Sequence, residues 1–416
     1  MKQSNWIIMC FFTRILRLLC YLPVFFITKL VANESTSEEQ KKYSSIGGQA
    51  VIDGVMMRSP HAFVVALRLP NGKIRLRRDQ WFGLGKKFPF FKKFLLRGVL
   101  AVIEAMANGV VALNYSANVA MTEELKKEQA QEKEKEETRN KEEKNKEDNN
   151  NKENKKEEKE GLKSISDKIG IATFITMIIS LLFGIVLFVF VPHWITILVG
   201  YKDVESFKFH FIDGIIKATI FVLYVFLIGL IPDIKKIFCY HGAEHKAIAT
   251  FENKEELTIE NARKYSTLHP RCGTSFIFFL IFISILFFSI VFSSISIAPE
   301  LPFVLRHLVI LCLKVLLMFP VAGVSYEILK YAGTHSDNNF CKIISFPGMI
   351  LQRITTNEPT NEQLEVALAS IKTVLFLEEK HKLKEQESKI LTVEELEIEK
   401  LSEIEKSNAT VKDFIE

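Results

Sequence analysis

The chain carries little net charge, +5 over 416 residues, too small an excess to argue for a nucleic-acid partner. Proline is scarce, 12 positions against 34 phenylalanines, as expected where helices face lipid. The six cysteines show no framework spacing. Cys10, Cys20 and Cys312 lie inside apolar runs, Cys239 and Cys272 flank a polar motif region, and Cys341 stands alone. That scatter argues against a secreted disulfide scaffold and for a reducing compartment. A phosphate loop, a dinucleotide fingerprint, a Ser/His/Asp order and a nucleic-acid module are all missing.

What is present falls into apolar blocks and charged blocks: 48% of the residues are hydrophobic and 25% charged. Four stretches are long enough to cross a bilayer, which takes about 20 mainly apolar residues. They run from Ile171 to Val191, Ile215 to Ile231, Phe276 to Ile297 and Phe303 to Val324. The second carries Lys217, expected to snorkel to the interface. A further stretch, Trp6 to Ala32, is interrupted by Arg14, Arg17 and Lys29 and reads as a membrane-associated anchor or an upstream extension. Lysine and arginine crowd the loop between the second and third spans (Lys235, Lys236, Lys246, Lys254, Arg263, Lys264, Arg271), the segment before the first span and the tail. An even span number and this bias place those regions in the cytoplasm.

Before the spans lies a polar module. Phe63 to Asp79 alternates around Asn71-Gly72, which predicts a hairpin with a type I′ turn. Gly47 to Met57 reads as a further strand with glycine-marked bends, so a small antiparallel sheet is expected. Gly98 to Met121 predicts an apolar helix with Glu104, Asn108, Tyr115 and Asn118 on one side. Its basic flanks argue that it packs among helices or lies in the interface rather than spanning. Glu123 to Glu160 is almost entirely Lys, Glu, Asn and Gln, a disordered or loosely helical spacer. Thr360 and Gln363 have the spacing of a capping box opening a helix through Leu375.

The fold class is therefore mainly α: a polytopic membrane helical bundle with a small cytoplasmic β-containing module. The organisation reads as 1–42 anchor or extension, 43–121 β module plus apolar helix, and 122–168 charged linker. A four-helix membrane domain with the motif loop follows over 169–335, then a cytoplasmic helical segment over 336–380 and a charged tail over 381–416.

The motif loop carries the chemistry. In His241-Gly242-Ala243-Glu244-His245, a helix would project both imidazoles from one face, as two ligands of one metal require. Glu244 beside them is the candidate catalytic base for a metal-bound water, in the order His-x-x-Glu-His. His269 and Cys272, in His269-Pro270-Arg271-Cys272-Gly273, add donors of the kind zinc selects. Glu327, Glu104 and Glu252 are carboxylate candidates for a further ligand.

Gly47 to Pro60, Asn114 to Ala120, His241 to Lys246, His269 to Ser275, Ser325 to Leu329 and Pro347 to Ala367 together resemble the signature blocks of the YqhQ family. These are bacterial membrane proteins catalogued as a domain of unknown function and often labelled metal-dependent enzymes. The resemblance covers about Ile46 to Lys380 without the charged insert, and implies a bacterial inner-membrane location. This chain departs from the pattern at Asp53, where the family leads one to expect Glu. The leading expectation is a zinc-class enzyme acting hydrolytically on a peptide or lipid-linked substrate at the cytoplasmic membrane face. His241 and His245 would be ligands, with one of His269, Cys272 or Glu327 completing the shell. An adaptor or assembly factor with a closed structural zinc site is the alternative. A transporter ranks third, because the spans carry few ionisable residues.

Overall fold

The computed structural model describes residues 46–80, 96–142, 175–176, 178–335, 338–384 and 394–404. The expected anchor at Trp6–Ala32 and most of the charged linker lie outside them.

Five strands form one antiparallel meander in the order β1 to β5: Gly47–Val51, Gly54–Arg58, Ala62–Arg68, Ile74–Gln80 and Glu394–Ile398. The stretch read as one bent strand is two, β1 and β2, folded back at Ile52-Asp53. Asp53 takes φ 55°, a left-handed conformation that Asp tolerates better than most residues, and pairs with Lys236. The β3–β4 hairpin forms where the sequence places it, but its turn differs. Positive φ occurs at Gly72 (84°) and not at Asn71, and Gly72 N–H donates to Leu69 O at 3.0 Å. Pro70 fixes φ in the right-handed range at the first turn position, so Gly72 alone takes the left-handed conformation that a type I′ turn requires of both residues.

The charged tail supplies β5. Glu394, Glu395 and Glu397 stand opposite Arg78, Arg77 and Arg75 of β4, and Arg75 donates to Glu397 at 2.6 Å. Cross-strand charge pairing selects this register.

Nine helices are described: α1 Leu96–Glu142, α2 Ile178–Leu198, α3 Phe207–Ile228, α4 Pro232–Glu252, α5 Ile259–Arg263, α6 Gly273–Ser294, α7 Phe303–Thr334, α8 Asn339–Thr355 and α9 Asn361–Lys384. Both faces of the sheet are covered. Val55, Met57, Val64, Ile74 and Leu76 pack against Tyr240, Ala243 and Ala247 of α4 and Leu364, Leu368 and Ile371 of α9. Val51, Met56, Phe63, Val65 and Leu67 pack under Ala112 and Tyr115 of α1. Part of the expected polar stripe of α1 faces the sheet: Asn108 is buried and Arg77 lies 5.0 Å over the Tyr115 ring, whereas Asn118 is exposed. The α9 capping box is reciprocal, Thr360 N–H to Gln363 Oε1 at 2.9 Å and Gln363 N–H to Thr360 Oγ1 at 3.3 Å.

Among the described residues, five helices (α1, α2, α3, α6, α7) are long and apolar enough to cross a membrane, one more than the sequence reading counted. The first expected span does not stop at Val191. A π-helical turn, Val186–Phe190, takes up the hydrogen bond that Pro192 cannot donate, and the helix continues to Leu198. Exposed apolar side chains of α1 include Ile103, Met106, Val110 and Leu113.

Candidate metal centre

Helix α4 is where the motif becomes geometry. Pro232 at its start has no N–H to leave unpaired, and Asp233 in the first turn favours the helix N-terminus. The resulting helix stacks His241 and His245 one turn apart, with ring centroids separated by 4.4 Å. Cys272 precedes α6, and its Sγ accepts from Thr274 N–H at 3.4 Å, so the helix N-terminus fixes the thiol. His241, His245 and Cys272 each offer a ligand atom, and these atoms all lie within 4.8 Å of one another.

The tautomers follow from the backbone. His241 Nδ1 lies 2.9 Å from Thr355 O and His245 Nδ1 lies 2.5 Å from Thr267 O. A carbonyl only accepts, so each Nδ1 carries the proton and each Nε2 keeps its lone pair. His241 Nε2 is turned to Cys272 Sγ at 3.1 Å. His245 Nε2 is buried and has no hydrogen-bond partner among the described residues. Backbone carbonyls orienting Nδ1 while Nε2 is left open is how metal-binding histidines are prepared. Burial holds His245 below the ordinary histidine range, opposed by Cys272, so its neutral form is favoured.

Glu244 is buried against β1. Burial pushes its carboxyl above the usual carboxylate range, against the opposing pull of His241, His269 and the Gly48 N–H. Gly48 explains the glycine in this strand: a Cβ there would stand 2.8 Å from Glu244 Cγ, Glu244 Oε1 and Met57 Sδ. Gly242 is needed for a different contact, since a Cβ would run into Asn357 O. Neither requirement was apparent from the motif, although the paired glycines in a strand without a turn are the signal that could have found Gly48.

The remaining candidates lie around this group. His269 is beside it, its ring 5.6 Å from that of His245, but its Nε2 is directed to Glu252 Oε2 at 3.4 Å. Gln352 clamps the His269 backbone, accepting from its N–H at 2.8 Å and donating to its O at 2.7 Å. Burial lowers His269 to about 4, opposed by Glu244. Glu252 also pairs with Arg271. Glu327 is not gathered into the cluster: Arg97 of α1 holds both its oxygens, at 2.6 and 2.5 Å. Glu104 lies on α1 with one oxygen lacking a hydrogen-bond partner among the described residues. Asp53 sits at the β1–β2 turn with Lys236, so its shorter side chain is spent on that turn.

Comparison with known proteins places this arrangement in a family. The model of a protein family of unknown function, DUF1385, matches residues 94–376. The chain belongs to the DUF1385 family. It is similar to the uncharacterized protein YqhQ of Bacillus subtilis (strain 168), with 32% identity over 337 residues, 80% of this chain and 92% of that protein. No solved structure matches. The DUF1385 match contains α4, Cys272 and the α9 cap, so the whole candidate centre lies within the family region. The family description names no reaction.

Proposed function

We propose that this protein is a zinc-class metalloenzyme whose centre lies at the cytoplasmic face of the membrane and acts hydrolytically. The supporting observation is the open, buried Nε2 of His245 facing His241 and Cys272, with both Nδ1 atoms committed to carbonyls. Three ligands of mixed nitrogen and sulfur type suit zinc and leave one position for water. Bound there, zinc would supply a Lewis acid and a water that ionises near neutral pH. Glu244 would hold the proton taken from that water, and its burial-raised affinity for protons suits a base working near neutral pH. Gly48 N–H and the α4 backbone fix where that carboxylate stands. The apolar start of α6 beside Cys272 favours a lipid-linked or membrane-embedded peptide substrate over a freely soluble one.

The lysine and arginine bias supports a cytoplasmic orientation. A closed structural site is the second reading, favoured by how near His269 stands to His245. Cobalt substitution separates the two. With an open position, adding azide to the Co2+ protein changes its visible spectrum. A spectrum unmoved by azide, in a protein that binds cobalt stoichiometrically, supports the structural reading and ends the hydrolytic one.

A further inference from the structure

A second buried polar cluster lies at the other end of the bundle, where α2 ends and α3 and α7 begin. His193, His210, Asp213, His307 and Lys314 are each no more than 2% exposed there. Ionisable residues in the spans are few. The structure gathers those few into one place. Ionisable groups at such depth are costly and by default carry function.

Their contacts form a chain. Lys314 Nζ donates to Asp213 Oδ2 at 2.7 Å and lies 3.5 Å from His193 Nδ1, and His193 Nε2 is 2.8 Å from His307 Nδ1. An ammonium group only donates, so His193 Nδ1 accepts and its proton is on Nε2. That N–H donates to His307 Nδ1, which leaves the His307 proton on Nε2. Every donor thus points from Lys314 towards the start of α7. Phe303 and Trp194 cover the His307 ring, with centroids 4.2 and 6.1 Å away.

At the inner end two acceptors are open. Asp213 Oδ1 and His210 Nδ1 have no hydrogen-bond partner among the described residues, and both are buried on one face of α3. His210 Nε2 is 2.8 Å from Val204 O and therefore carries that ring's proton. The titratable neighbours are Lys217, which acts electrostatically on Asp213 and His210, and Arg306, which acts on His307. α6 contributes Ile285, Phe288 and Phe292. Lys217, one turn beyond Asp213, has its ammonium 5.6 Å from the centre of the Phe288 ring. Arg306 is held by Glu205 and Ile297 O.

We infer that this cluster is a proton-exchange site, in which the Lys314–Asp213 pair trades a proton with water at the far end of the bundle through His193 and His307. In release, a Lys314 N–H proton moves to His193 Nδ1, the His193 Nε2 proton moves to His307 Nδ1, and the His307 Nε2 proton leaves to water. Lys314 is left neutral, both rings have exchanged tautomers, and one proton has departed. Uptake is the reverse. The site is separate from His241 and does not depend on metal there.

The test is hydrogen exchange at the ring nitrogens, read by 15N NMR on the full chain in lipid bilayers. His193 and His307 should carry their protons on Nε2 at neutral pH. Solvent deuterium should reach His193 Nε2 faster than it reaches the amides of the same turn. In His307→Phe the outlet is removed, so exchange at His193 should slow by about tenfold or more. Where the Phe variant fails to fold, His307→Gln keeps a donor and an acceptor without a tautomer, and the same slowing is expected. A merely structural role for His307 would loosen the bundle and speed exchange instead. Unchanged or faster exchange at His193, or protons found on Nδ1, would overturn the proposal.

Discussion

Two adjacent glycines in β1 should respond oppositely to the same substitution. A Cβ on Gly47 meets nothing within 4 Å, whereas one on Gly48 stands 2.8 Å from Glu244 Cγ, Glu244 Oε1 and Met57 Sδ. Neither glycine has positive φ, so the backbone accepts alanine at both. Gly47→Ala should therefore stabilise by about 0.4–1 kcal/mol through the unfolded chain. At Gly48, ordinary carbon contacts begin near 3.5 Å, so the new methyl must displace Glu244 and the Met57 sulfur by roughly 1 Å. Both neighbours are flexible side chains, which limits the stability cost to about 1–3 kcal/mol. The carboxylate cannot make that shift and stay on the Gly48 N–H, and a displacement of about 1 Å at a catalytic group costs on the order of 100-fold in rate. Thermal unfolding in detergent, metal content and complementation of a deletion strain, measured on both variants, check this. Gly48→Ala should retain metal and lose function. A Gly48→Ala protein with the melting temperature and activity of Gly47→Ala would refute the contact between β1 and Glu244.

Other outcomes follow from the same geometry. Glu244→Gln should insert and keep metal yet fail to complement, whereas Cys272→Ala should release metal; full activity in Glu244→Gln would remove the catalytic assignment. A single cysteine introduced at Lys254 should resist labelling from outside intact cells while one at Tyr201 reacts, and the opposite pattern would invert the orientation. Charge reversal at Arg75→Glu should destabilise the β4–β5 edge by about 1 kcal/mol and Glu397→Arg in the same chain should restore it, as a double-mutant cycle measures. His269 is lowered to about 4 by burial, so the unfolded chain binds more protons between about pH 6.5 and 4 and stability falls as pH drops through that window. His269→Gln should flatten that acid limb in apo protein, and an unchanged profile would exclude His269 as its source.

The helices were legible because apolar length and composition are properties of one segment. So was the histidine pair, since i, i+4 spacing on a helix fixes a shared face without reference to the rest of the chain. What the sequence hid depends on distant residues meeting. β5 reads as a charged tail until Glu394, Glu395 and Glu397 are set against Arg75, Arg77 and Arg78. Glu327 reads in the sequence as a candidate ligand near the loop, and only the packing of α1 on α7 brings Arg97 to it. Among the sulfur, imidazole and carboxylate donors the sequence left open, the turn before α6 brings Cys272 to the histidine pair, while Glu252 draws His269 aside. The hairpin turn was misread locally: Asn-Gly is a strong type I′ signal, but the preceding Pro70 commits the chain to a right-handed first turn position. Asp213, Lys314 and the histidines around them are few and spread over three apolar helices, and no spacing within one helix announces the contacts between helices.

Zinc-edge X-ray absorption on protein purified without chelator is the sharpest test of the three-residue centre. About one zinc per chain is expected, with one sulfur at about 2.3 Å and two imidazole nitrogens at about 2.0–2.1 Å completed by a light oxygen ligand. In His245→Ala that zinc should be gone. Protein that holds no metal as purified and takes up none on reconstitution would contradict the claim, as would a metal whose shell contains no sulfur.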